Sequence, residues 1–320
     1  MEFLVAGYEI IEQEPGLEGI FKAAELPGRI CYGSQDKMGP GTAEKFVNGL
    51  MKSNHGAPLE HGTVYLKAQD EYQNDYKGTG ASYEGNPLEK YRHNQYSKFK
   101  RGNGTTYVTT NLRVLFENGW LSDLDNYLCE PTEHHERRYQ VGFQVDRFTG
   151  EEFLRHRVAS FNRESTRYVL FTKEKFGGGS IKYIIPVWIL DRMDEVEAYK
   201  DWTISDFCRD VIDAECGDCE LASDIFVWEF ALKACEWSYC KLTDDFGWKA
   251  EQARTVLPCA INSPLIKTAF ISDWRHFFRL RSDIAATGKP HPQASELATP
   301  LMQEFIERGY VTEEEIKNNE

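Results

Sequence analysis

Residues 183–188 separate two differently patterned halves of the chain. Before them, short β-branched and apolar runs alternate with turns; after them, apolar residues recur at helical spacing. This asymmetry constrains the fold more than any other feature. Upstream, residues 3–11 (FLVAGYEII), 63–68, 105–110, 139–145 and 183–188 read as strands, with helices over 17–25, 42–53 and 112–118. Downstream, the spacing predicts helices over 206–214, 225–242, 249–257, 273–282 and 294–307. No internal repeat and no Pro/Ser linker divides the halves, so the expectation is one mixed α+β domain over 1–320, with helices packed on a sheet. Residues 69–104 stand apart, because this polar stretch holds a single aliphatic of any size, Leu88, and cannot build its own core. It reads as an insertion or surface excursion.

Charge narrows the function classes. With 37 Lys+Arg against 51 Asp+Glu the net charge is −14, which argues against broad phosphate-backbone binding and hence against a nucleic-acid module. A compact anion in a local basic pocket stays compatible with it. No stretch approaches the ~18–20 apolar residues of a membrane span, and the opening MEFLVAGYEIIEQE lacks a basic segment followed by an apolar one. The expectation is a soluble, cytoplasmic protein whose eight scattered cysteines are reduced thiols.

The most informative segment is 151–168, EEFLRHRVASFNRESTRY. Leu154, Val158 and Phe161 fall at i, i+4 and i+7, so a helix starting near Gly150 would bury that stripe. On it Arg155 and Arg157 would diverge by about 200°, at ~3.6 residues per turn, and reach different neighbours. Guanidinium forks followed by Ser165, Thr166 and Arg167 in a turn suit phosphate. The same residues also fit a solvated helix face, with Glu151 paired to Arg155 and Glu152 to His156. In 272–281, Trp274, Phe277, Phe278 and Arg281 occupy i, i+3, i+4 and i+7, which puts Arg281 on the apolar stripe. A buried guanidinium needs a carboxylate, a cavity or an anionic ligand, unless it snorkels from the last turn.

These blocks carry a resemblance. Arg155-His156-Arg157, seven residues and then Ser165 resembles the RHRX7S signature of flavin-dependent thymidylate synthases, the ThyX family, with Thr166-Arg167-Tyr168 behind it. His55-Gly-Ala-Pro-Leu-Glu60-His61 is similar to the family's GHxxPxEH turn, 253–258 to its ARxxLP segment, and 274–281 to its WRHFxxLR helix. The similarity runs from about residue 28 to residue 293.

The resemblance implies a twisted, mainly antiparallel sheet flanked by helices, and reductive methylation of dUMP to dTMP. 5,10-Methylenetetrahydrofolate would give the carbon, FAD would carry the hydride and NADPH would reduce it, without an enzyme cysteine nucleophile and without a metal. It also implies a homotetramer with active sites at subunit interfaces. His55, Glu60, Arg155, His156, Arg157 and His291 would hold FAD. Glu152, Arg155, Ser165, Thr166, Arg167, Arg254, His276 and Arg281 would meet dUMP, with Arg281 and Ser165 in the catalytic roles. A fixed cation at Arg281 would stabilise charge developing on the pyrimidine.

Departures are equally specific. Arg163 stands where many relatives have Glu or Gln, Phe270 and Ser272 replace an Asn and an Arg that touch FAD, and Cys31 and Ala57 replace small hydroxyl residues. His291 lies further from Arg281 than in compact relatives. Other chemistries are weaker. Cys259 follows an apolar helix end with nothing to lower its pKa, Cys216-Gly-Asp-Cys219 lacks a second ligand pair, and adjacent His134 and His135 diverge.

Overall fold

The structure, a computed structural model, describes residues 1–74, 81–171, 180–217, 223–284 and 288–318. Strands β1 (Glu2–Leu4) and β2 (Gly7–Ile11) precede helices α1 (Gly16–Cys31) and α2 (Thr42–Lys52). A tight turn, Ala57–His61, feeds β3 (Thr63–Gln69), followed by β4 (Glu71–Asn74), β5 (Ala81–Gly85), β6 (Lys98–Gly102) and β7 (Thr105–Asn111). Then come α3 (Leu112–Asn118), α4 (Asp123–Tyr127), β8 (Arg138–Gln144), α5 (Arg147–Phe153), β9 (Ser160–Arg163) and β10 (Lys182–Ile184). The remainder holds α6 (Met193–Ala198), α7 (Ile204–Glu215), α8 (Asp224–Cys240), α9 (Ala250–Ala253), β11 (Leu265–Phe270), α10 (Ile271–Arg281), α11 (Pro292–Glu307) and α12 (Glu313–Lys317). Among the described residues no helix is long and apolar enough to cross a membrane.

Two antiparallel sheets organise the chain, in the order β2-β8-β11-β9 and β3-β7-β6, so the mainly antiparallel α+β expectation holds. Strand β11 is central to the first sheet: Lys267 lies between Val141 of β8 and Phe161 of β9. Helices α10 and α11 cover this sheet, burying Trp274, Phe277, Phe278 and Phe305 against Phe143 and Phe153. Their rings meet edge to face, as at Phe153–Phe277 and Phe278–Phe305. A second core joins α1 and α2 to β3, β7 and α3, around Leu59, Val64, Leu66 and Leu112.

One core residue breaks the pattern. Lys267 is completely buried, and its Nζ has no hydrogen-bond partner among the described residues but lies 4.1 Å from the Trp274 ring and 3.9 Å from that of Phe277. Burial holds its pKa well below the usual lysine value. The unfolded chain therefore binds a proton that the native one resists, and the cost shrinks as pH rises toward the ordinary lysine range. Lys267→Met is expected to stabilise the fold by about 1–2 kcal/mol at neutral pH, after loss of the ring contacts. Urea unfolding should show the gain narrowing at alkaline pH.

Several sequence expectations need correction. The helix foreseen through Phe161 stops at Phe153, because residues 160–163 form ladder bonds with β11 instead. Leu154 and Phe161 still pack on the first core, but Val158 turns outward at 54% exposure. The strand over 3–11 is two strands in different sheets, and α1 continues past residue 25 to Cys31. Residues 183–188 are strand only to Ile184, and 249–257 shortens to α9 and a single 3₁₀ turn. Strand β11 went unread, because it is buried on both faces and carries no alternation. The 69–104 stretch is not merely an excursion: Leu88 and Tyr91 are fully buried in the second core, and β6 pairs with β7.

Candidate functional site

Asp146 caps α5 by accepting from the Thr149 N–H at 3.0 Å, which fixes where that helix starts and thus where Glu152 projects. Opposite it, the buried stripe of α10 delivers Arg281 with only 16% of its side chain exposed. The two meet. Arg281 Nη1 donates to the Glu152 carboxylate, Nη2 to the Glu152 carbonyl at 3.3 Å, and Nε to His156 Nε2 at 3.0 Å. The carboxylate is the partner that the apolar stripe demanded, and the Glu152–His156 pair considered from sequence gives way to this clamp. Because His156 Nε2 accepts, its ring proton sits on Nδ1, a buried atom with no partner among the described residues. Burial, with Lys267 and Arg281 nearby, lowers the His156 pKa to about 3, so the ring is neutral. The exposed His276 lies beside it, ring centroids 5.9 Å apart.

The Ser165 turn is tied down at its entry. The Ser165 N–H donates to the Cys31 carbonyl at 3.2 Å, and the Cys31 thiol donates to the Arg163 carbonyl at 3.1 Å. The Ser165 hydroxyl oxygen accepts from the Arg167 N–H at 3.3 Å, and Arg254 Nη1 donates to the Thr166 hydroxyl at 3.4 Å. Two hydroxyls and two guanidinium groups thus border one turn, a donor set suited to a phosphate. Arg163 is taken up by an ion pair with Glu151 at 2.8 Å. His55 Nδ1 lies 2.9 Å from the Tyr32 hydroxyl, and Tyr32 packs on Tyr168 at the far end of the turn.

Sequence reasoning quoted His61 but gave it no role. His61 Nε2 donates to Asn162 Oδ1 at 3.1 Å, and Nδ1 accepts from the Thr268 hydroxyl at 2.8 Å. The Asn162 amide is oriented by donation to the Pro27 carbonyl at 3.4 Å. His61 is 1% exposed and burial lowers its pKa to about 3, so it is a neutral bracket joining the 57–61 turn, β9 and β11.

At the Ser160 end of β9 is a cavity of about 400 Å³ bordered by Glu60, Arg113, Arg138, Arg157 and Phe270. Arg138 is buried and donates to the Glu60 carbonyl from both Nη atoms at 3.1 Å, to Ser160 at 3.2 Å and to Thr63 at 3.3 Å. Among the described residues it meets no carboxylate, and its Nε has no partner. Burial draws its pKa down to about 10. Phe270 lies between two cations, Lys98 and Arg138, each 5.3 Å from its ring. Ser272 donates its N–H to Glu136 at 3.2 Å.

One chain therefore gathers Glu152, His156, His276 and Arg281 at one place, Ser165 to Arg167 with Arg254 at a second, and Glu60 with Arg157 at a third. His55 and His291 are not among the cavity's lining residues, and His291 packs on Trp188 at the start of α11. Arg155 is exposed without a side-chain partner among the described residues. Cys259 contributes its carbonyl to the Arg147 N–H at 2.9 Å, and His134 and His135 both pack on Tyr107. Cys219 lies outside the described residues, among which no three His, Cys, Asp or Glu side chains gather as a metal site.

A family model described as thymidylate synthase complementing protein matches residues 124–307, more than half of the chain. A flavin-dependent thymidylate synthase of Geobacter sulfurreducens is 28% identical over 137 residues, 43% of this chain and 44% of the relative. One of Pyrococcus abyssi is 24% identical over 157 residues, 49% of each. The chain thus spans about half the length of the curated relatives it matches. A crystal structure of thymidylate synthase X from Helicobacter pylori with FAD and dUMP overlaps 98% of this chain and 100% of that one, at 14% identity and a TM-score of 0.38. That overlap is too loose to carry an argument.

Proposed function

The chain belongs to the thymidylate synthase complementing protein family, and on that premise we propose that it is a flavin-dependent thymidylate synthase converting dUMP to dTMP. The observation that carries this reading is the Arg281 clamp, in which the end of the WRHFxxLR helix is held by Glu152 and by the RHR histidine. A preorganised cation there stabilises negative charge developing on a pyrimidine without paying for reorganisation. Glu152 and His156 act on Arg281: they fix the plane of its guanidinium, and the neutral His156 adds no charge. Arg254, Thr166 and Arg167 hold the nucleotide phosphate. Ser165, whose oxygen already accepts from Arg167, has its O–H free to donate to the nucleotide.

The residues fit a flavin dinucleotide. The cavity beside Glu60 is bordered by Arg113, Arg138 and Arg157, and Arg157 has no side-chain partner among the described residues. When bound, FAD supplies the hydride, with NADPH as reductant and 5,10-methylenetetrahydrofolate as carbon donor. Glu60 and Arg157 would hold it, with His55, Arg155 and His291 completing the site, while His156, engaged by Arg281, does not border this cavity. A homotetramer with sites at subunit junctions would let neighbouring copies complete the site. Purified protein is expected to bind FAD, turn yellow and oxidise NADPH; a colourless protein that ignores added FAD contradicts the reading.

A further inference from the structure

We propose that Arg113, in a segment outside both the family-matched region and the motifs the sequence shares with the family, contacts a phosphate of the dinucleotide. This rests on the reading that the cavity takes FAD. The family match begins at residue 124, yet Gln95, Tyr96, Asn111, Arg113, Val114 and Glu117 line the cavity together with Arg157 and Phe270. Asn111 caps α3 by accepting from the Val114 N–H at 3.1 Å, which sets Arg113 and Glu117 one turn apart on the same face.

Arg113 is built into this position. Its Nε donates to Glu117 at 2.7 Å and its Nη1 to Glu60 at 2.5 Å. The two contacts lie on different edges of the guanidinium, and Nη2 has no partner among the described residues. The group lies against Gly56 of the HGAPLEH turn so closely that a Cβ at that position would come within 2.9 Å of Arg113 Nε. A glycine there gives the guanidinium its seat.

Charge decides what the cavity is for. Arg113, Arg138 and Arg157 face Glu60 and Glu117, an excess of one positive charge in a protein whose net charge is −14. A cationic excess held in a cavity of an acidic protein favours an anionic group, and the pyrophosphate of a dinucleotide is the anion that a flavin site receives. Phe270 and Ser272 remove two polar flavin contacts expected from the family. Arg113 offsets that loss.

The test measures FAD and riboflavin dissociation constants for wild type, Arg113→Gln, Arg113→Lys and Glu117→Gln by flavin fluorescence. Arg113→Gln is expected to weaken FAD by about tenfold or more, the worth of a hydrogen bond to a charged group, and to leave riboflavin, which has no phosphate, unchanged. Arg113→Lys should recover part of the loss. Glu117→Gln should tighten FAD, an opposite sign that a damaged fold cannot mimic. Wild-type binding with equal FAD affinity in Arg113→Gln, or equal losses for both ligands, overturns this proposal alone. Wild type that ignores FAD overturns the functional reading and this inference together.

Discussion

Arg281→Ala is expected to lower the rate of dTMP formation by about 10²–10³-fold, the usual consequence of removing one preorganised donor from developing charge, while FAD affinity changes little. The reason is positional. Arg281 ends a helix whose other stripe residues, Trp274, Phe277 and Phe278, are fully buried, so its backbone is fixed by packing. Its Nε, Nη1 and Nη2 donate to His156, the Glu152 carboxylate and the Glu152 carbonyl, so the second N–H groups of Nη1 and Nη2 are the donors left for a substrate carbonyl. Arg281→Lys should recover little, because one ammonium cannot reproduce the planar fork that reaches both partners. Near-UV circular dichroism should report an intact core in both variants. Undiminished turnover in Arg281→Ala would remove the residue from the mechanism.

Acidification is the second large effect. His61 and His156 are held near a pKa of about 3 in the native state, against 6.5 for the free side chain. Between those values the unfolded chain binds protons that the native one excludes. Stability is therefore undiminished above about pH 6.5 and falls as pH drops toward 3, by on the order of 3 kcal/mol per histidine at pH 4. Glu164 and Glu229 act in the opposite sense, since burial raises their pKa values to about 7 and about 8. A difference measurement isolates the histidine. His61→Gln keeps an acceptor and a donor near Thr268 and Asn162 but does not titrate, so urea unfolding between pH 7 and pH 4 should show the variant losing on the order of 3 kcal/mol less than wild type. Parallel curves would mean that His61 is charged in the native protein.

What could be read from sequence follows the range of the interactions concerned. The stripe of α10 was legible because i, i+3, i+4 and i+7 positions report burial directly, and it foretold that Arg281 needed a partner. The partner's identity was not legible, since Glu152 lies far upstream and meets it only through the packing of α5 on α10. The same limit explains the misread helix over 150–161. Its local period was genuine, and Leu154 and Phe161 do face the core, but pairing of β9 with β11 outweighed it. Arg138 and Lys267 gave no signal, because a lone cation in a strand reads as solvent-facing until its neighbours cover it. His61 sat within a recognised block and still went unassigned. Its bracket joins residues that only the fold brings together.

In the proposed reaction a guanidinium clamped by Glu152 and His156 serves methyl transfer to dUMP beside a bound flavin. The most direct test is product analysis with labelled dUMP, leaving out FAD, NADPH or 5,10-methylenetetrahydrofolate one at a time. The account expects labelled dTMP from the complete mixture and from none of the depleted ones. Labelled dUMP recovered unchanged from the complete mixture, with the flavin bound and NADPH present, would contradict it.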